Sequence, residues 1–194
     1  MLSEVRVIAL LLHLLSMMFM AAPLYMLIIV NEHARFTVPP GYNTDRYLEN
    51  IIKGQPIRCY AYLAVMLITG VLLTWYKGWI WTDWALITKL VAFAALVSLL
   101  SYVHFTIQPN IDKILTGWKP GEEVPPDKKQ SFLAWRGRRK RLAGVCLFLV
   151  LTSLVMGLRV TFSYMPWYLA IVFVIAAALF AWRAYRKPVR FGWF

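Results

Sequence analysis

Acidic side chains are in short supply in this sequence, nine against 21 lysines and arginines, and charged residues of both signs make up only 15% of it. A soluble domain carries roughly a quarter charged residues and less apolar content than this. With 60% hydrophobic residues, the chain is not an ordinary water-soluble fold. Cysteine is almost lacking. Cys59 and Cys146 have no CxxC partner and no Cys/His neighbour at metal spacing, which argues against a zinc module and a disulfide scaffold. Both fall near the expected cytoplasmic ends of helices, where thiols stay reduced, and they read as small buried apolar residues. There is no GxGxxG, P-loop, HExxH or nucleophile elbow, so the common soluble-enzyme sites are missing. Repeats and low-complexity tracts are missing too. A net charge of +12 would suggest nucleic acid in a soluble protein. Here the basic residues flank apolar stretches, which orients a membrane protein and argues against a nucleic-acid partner.

What is present is a series of apolar segments, at 5–30, 59–76, 81–107, 142–158 and 167–182. About 20 residues cross the hydrocarbon, so the expected fold is an all-α integral membrane protein, a single bundle of about five transmembrane helices over residues 1–194. The last two segments are short, and a re-entrant hairpin in a four-span bundle is the alternative. Aromatic or basic anchors at their ends favour two full spans. The first segment is too long for a signal-peptide core and lacks a basic start, so the Ala21-Ala22-Pro23 step is expected to lie inside a retained span.

Orientation follows from the basic residues. With five spans, one side receives Arg35, Arg46, Lys53 and Arg58, nine more between 108 and 141, and four in the tail, 17 in all. The other side receives three, Arg6, Lys77 and Arg159. This imbalance predicts the N-terminus outside and the C-terminus in the cytoplasm, as in a bacterial inner membrane. Trp75, Tyr76, Trp79, Trp81, Trp84, Tyr164 and Trp167 crowd the outer hairpins, and Trp182, Tyr185, Trp193 and Phe194 mark the inner interface, as headgroup-level rings should. On the inner side, Tyr47, Leu48, Ile51 and Ile52 follow the breaker Val38-Pro39-Pro40-Gly41 and predict a short helix on the membrane surface. The run Arg136 to Arg141 reads as a stop-transfer and anionic-lipid anchor.

Ionisable residues within spans are costly, and mark candidate sites. His13 and Lys89 each lie eight residues into a span that enters from outside, so both sit roughly 12 Å deep and can share a pocket. The plainer alternatives are a snorkelling Lys89 and a His13 hydrogen-bonded to a neighbouring helix. His33 and His104 belong to the inner half, where a neutral imidazole could ligate haem iron or make an interfacial hydrogen bond. Met17, Met18, Met20 and Met26 raise copper(I), but the first three do not share one helical face.

Span one, LLHLLSMMFMAAPLYMLIIVNEHARF, with WALITKLVAFAALVSLLSYVHFTIQPNIDKIL in span three, resembles the CopD-like membrane proteins and the related HemJ-type protoporphyrinogen oxidases. The resemblance implies a helical bundle associated with haem b. It matches His13 and His33 to the two histidines of that family's first helix, and Lys89 to the lysine of its third. Leu27-Ile28 replaces the family's proline–arginine step, and Trp135-Arg136-Gly137-Arg138-Arg139 stands where an acidic motif belongs. His104 also follows Lys89 later than the oxidase pattern places it. Haem binding is therefore more expected than oxidase activity. The leading expectation is a haem b-binding, cytochrome-like electron-transfer protein, a subunit of a larger membrane redox complex. His13 would be an axial ligand to the haem iron and Lys89 a second ligand, or a propionate or proton partner. Other redox subunits, and a quinone, are the partners this implies. A HemJ-type porphyrinogen oxidase and a non-catalytic accessory subunit are the alternatives.

Overall fold

The computed structural model describes residues 2–36, 42–78, 83–116, 126–161 and 165–186. The regular structure among them is helical: α1 (Leu2–Phe36), α2 (Tyr42–Lys53), α3 (Gln55–Lys77), α4 (Trp84–Tyr102), α5 (Gln108–Thr116), α6 (Pro126–Thr161) and α7 (Trp167–Arg186). A π-helical stretch, Val103–Ile107, joins α4 to α5. Five segments are long and apolar enough to cross a membrane: Glu4–Leu27, Glu49–Lys77, Trp84–Thr116, Lys128–Thr161 and Trp167–Ala184. The protein is therefore an integral membrane protein whose exposed leucines, isoleucines and valines face lipid.

Local chemistry sets the helix ends. Pro56 sits in the first turn of α3, where its missing N–H costs nothing. Gly78, at φ 60°, ends the helix in a left-handed turn whose N–H returns to the carbonyls of Thr74 and Trp75. Asp83 caps α4, its Oδ1 accepting the Ala85 N–H at 2.9 Å. Pro109 can donate no backbone hydrogen bond, and its ring would crowd the Phe105 carbonyl of a regular helix. The π stretch just before it widens the turn there.

α1 packs along α3, α4 along α6, and α7 on α6, whereas the consecutive helices α3 and α4 hardly touch. Alanines line several of these contacts: Ala85 with Ala170 near one end of the bundle, Ala143 with Ala181 and Ala184 near the other. Small residues let membrane helices approach closely where no hydrophobic effect drives them together. Met20, Leu63, Met66, Leu96 and Val150 fill the middle. Thr152 is buried, and its hydroxyl has no hydrogen-bond partner among the described residues. Thr152→Val keeps the shape and removes that orphan, so it should stabilise the detergent-solubilised protein by about 1 kcal/mol. A lower thermal midpoint in the variant would show that the hydroxyl is paired.

The fourth span departs from its expected bounds. α6 is one helix of 36 residues, so the basic run of 136–141 is helical and continuous with the span. Arg139 is 4% exposed and not a lipid anchor, because an acid meets it inside the protein. Arg138 and Arg141 do face outward. The surface helix is also present as α2, but it is docked on the bundle, with Ile52 packed beside Leu27, Ala143 and Leu147. Tyr47, on the apolar face expected to meet the membrane surface, is 67% exposed.

At the end opposite this basic region, Trp75, Tyr76, Trp84, Trp167 and Tyr168 are exposed, as an aromatic belt requires. Arg159 lies over the Trp84 ring at 4.7 Å. Trp79, Trp81, Tyr164, Trp193 and Phe194 lie outside the described residues, as does the side chain of Tyr185.

Candidate functional site

The poor contact between α3 and α4 leaves a cavity of about 230 Å³ in the aromatic half of the bundle, bounded by α1, α3, α4 and α6. Met17, Met66 and Leu96 form its floor, where the central core begins. Leu67 and Val71 of α3 and Leu90 of α4 line it and are also exposed, so its apolar walls run out to the lipid-facing surface. Arg6 and Lys77, near helix ends, stand at its mouth. Among the described residues that line it, none is Asp or Glu.

His13 and Lys89 both line this cavity, although their distances from the helix starts differ: Lys89 is the sixth residue of α4 and His13 the twelfth of α1. His13 is tied to α3: its Nδ1 lies 2.9 Å from the Thr69 hydroxyl. That hydroxyl has one proton, and it donates it to the Val65 carbonyl at 2.7 Å, with Met66 O at 3.3 Å. With its proton on that carbonyl, the Thr69 oxygen can accept from His13 Nδ1–H, which would leave the lone pair on Nε2; donation from Thr69 to Nδ1 fits the same distances. The ring lies against Gly70. A Cβ there would come within 3.3 Å of His13 Cε1, so a larger residue would push the imidazole away. The simpler expectation for His13, a hydrogen bond to a neighbouring helix, is thus met at Nδ1 by Thr69 of α3.

Lys89 makes no hydrogen bond or ion pair with any described residue. Its Nζ faces α6, where a Cβ on Gly157 would lie 3.7 Å away. Lys77, in contrast, reaches the helix end and donates to the Val160 carbonyl at 2.8 Å.

The other candidates lie apart. His104 falls in the π stretch and does not line the cavity; its ring packs edge-on against Phe105 and Tyr60, at 4.8 and 6.1 Å between centroids. The side chain of His33, on α1, lies outside the described residues. The methionines diverge: Met17 lines the cavity, Met20 is in the core, and Met18 and Met26 are exposed. Among the described residues no three His, Cys, Asp or Glu gather as a metal site, and Cys59 and Cys146 are free thiols, Cys59 buried.

At the basic end, the structure reveals a cluster that the sequence pattern does not announce. Glu49 of α2 is 2% exposed and takes a bidentate bond from Arg139, with Nη2 to Oε1 at 2.7 Å and Nη1 on the second oxygen. Arg139 Nη1 also donates to Gln108 Oε1 of α5 at 3.1 Å, and Arg136 approaches Glu49 at 3.5 Å. Lys53 with Asp112, and Arg46 with the Leu115 carbonyl, add contacts between α2 and α5. This network holds three helices together and does not touch the cavity.

No protein-family model, curated protein or solved structure matches the chain.

Proposed function

We propose that the chain is a haem b-binding, cytochrome-like protein of a bacterial inner membrane, working as one subunit of a larger redox complex, with His13 as ligand to the haem iron. The observation that carries this reading is the His13–Thr69 pair. A ligating histidine almost always donates its second ring N–H to a neighbouring acceptor, which orients the ring and raises its basicity. Here Thr69 stands 2.9 Å from Nδ1, where it can accept that proton and so keep the lone pair on Nε2, and His13 lines an apolar cavity.

The remaining residues suit a flat, apolar macrocycle with acidic edges. Leucines and Phe93 supply apolar walls, and Gly70 and Gly157 leave room beside His13 and Lys89. Arg6, Lys77 and Lys89 supply positive charge, and none of the described residues lining the cavity is Asp or Glu. When bound, haem supplies one-electron redox chemistry, its potential set by axial ligand and burial. The protein's part is to hold the iron's ligand in one tautomer, exclude water through the apolar floor, and leave the lipid-facing wall for contact with redox subunits or a quinone. The resemblance of spans one and three to CopD-like proteins points the same way.

A reduced-minus-oxidised visible spectrum of the detergent-purified chain tests the proposal. The expected result is a haem b α-band at about one haem per chain. A folded, helical protein without that band, even after haem is added, would overturn it and favour the accessory-subunit reading.

A further inference from the structure

Among the described residues, the cavity is lined by three cations, Arg6 and Lys77 near helix ends and Lys89 at the sixth residue of the span that begins at Trp84. A charged amine held in a span is costly unless it reaches water or meets a counter-charge. Lys89 has no ion pair with any described residue. Of the acidic residues with described side chains, Asp83 caps α4, Glu49 and Asp112 belong to the ionic cluster at the basic end, and Glu4, near the start of α1, does not line the cavity. Its Nζ stands beside Gly157 of α6, about one turn from the end of that helix, and lines the cavity. That glycine leaves space beside the ammonium that any side chain would take. The cavity therefore offers an apolar space, a half-buried cation within it, two cations at the mouth and, among the described residues lining it, no acid.

We propose that Lys89 is an anion anchor: the cavity takes an amphiphile with an apolar body and a carboxylate, and Lys89 pairs with that carboxylate rather than with a metal. The inference rests on the haem reading for its first probe, where the carboxylate is a haem propionate, but its chemistry holds for any amphiphilic acid. His13 then supplies the axial bond and Lys89 the orientation, two separate tasks on two helices facing one space.

The test compares haem with haem dimethyl ester, whose carboxylates are capped. Both are titrated by their Soret band into the full-length chain, purified in detergent from a haem-deficient host, as wild type and as Lys89→Met. The methionine roughly keeps the stem length and removes a half-buried charge, so the variant should fold, with circular dichroism as the check. Wild type should bind the ester at least about tenfold more weakly than haem. Lys89→Met should bind haem as weakly as the ester, bind the ester as wild type does, and keep the low-spin or high-spin signature of the wild-type complex. Equal binding of haem and ester by wild type, unchanged discrimination in Lys89→Met, or a changed spin state in that variant would overturn the anchor role. If wild type binds neither porphyrin, the haem reading falls separately. Palmitate and its methyl ester, followed by native mass spectrometry, then decide the anchor. Acid preference lost in Lys89→Met upholds it, and no acid preference in wild type refutes it.

Discussion

Replacing Glu49 with alanine should cost the folded protein about 3–5 kcal/mol, the penalty for leaving a buried charge without its partner. Arg139 is 4% exposed and directs both terminal nitrogens at the Glu49 carboxylate. With Glu49 gone, Gln108 remains as an acceptor for one of these donors, and a neutral amide does not replace an anion. Arg136, whose side chain is 13% exposed, would stand beside the unpaired guanidinium as a second positive charge. The double variant Glu49→Met with Arg139→Met should recover most of the loss, because a packed apolar pair often matches a buried ion pair. Chemical unfolding of the detergent-solubilised chain measures both. A single-variant loss below about 1 kcal/mol, or a double variant no better than the single ones, would mean that the pair is solvated in the native protein. Because the network joins α2, α5 and α6, the same variants should also speed proteolysis near the basic end. They should leave any ligand at the far cavity bound.

That cluster was hard to see in the sequence for a physical reason. Glu49 and Arg139 are 90 positions apart, and Arg139 sits in a run where its neighbours are equally basic. Helical phase singles it out. Phe132, Arg139, Ala143, Leu147 and Val150 are buried positions of α6 through this region, so Arg139 lies on the apolar stripe of the span extended backwards. Glu49 likewise precedes Ile52, Pro56, Cys59 and Leu63 on the inward stripe that runs from α2 into α3. Reading 136–141 as a connecting loop ends the stripe at Leu142 and hides this phase. The five spans, in contrast, were legible because a run of about twenty apolar residues suits a membrane crossing and little else. His13 and Lys89 were legible as candidates because ionisable residues stand out within apolar spans, and both lie toward the same side of the membrane. His104 was separable from them by its place late in the third span, but its facing was not legible, because it follows from the turn widened ahead of Pro109. Gly70 and Gly157 carry no signal of their own in the sequence. Their meaning depends on which side chain of another helix comes to rest against them.

The second large effect is expected at His13 itself, and its neighbour separates ligation from mere packing. His13→Ala should abolish the haem b α-band, because it removes the axial nitrogen while leaving the apolar walls in place. Thr69→Val should weaken haem binding by about 10–100-fold without abolishing it, the usual range for losing the acceptor behind a ligating histidine. Valine nearly conserves the volume of threonine, and the hydroxyl it removes returns its proton to the carbonyl of its own helix, so α3 should persist. What is lost is the acceptor at 2.9 Å that holds Nδ1–H. The imidazole is then free to turn or to change tautomer, and the lone pair is no longer fixed on the nitrogen available to the cavity. Soret titrations of the two variants, with and without added imidazole, distinguish the causes. Free imidazole should restore a low-spin spectrum in His13→Ala, where a ligand-sized space has been opened. It should do little for Thr69→Val, where the space is still filled by the misdirected ring. If Thr69→Val binds haem as wild type does while His13→Ala does not, the ring is oriented by its packing against Gly70 instead. If both bind it as wild type does, His13 is a helix-pairing residue and the cavity serves a ligand that needs no axial bond.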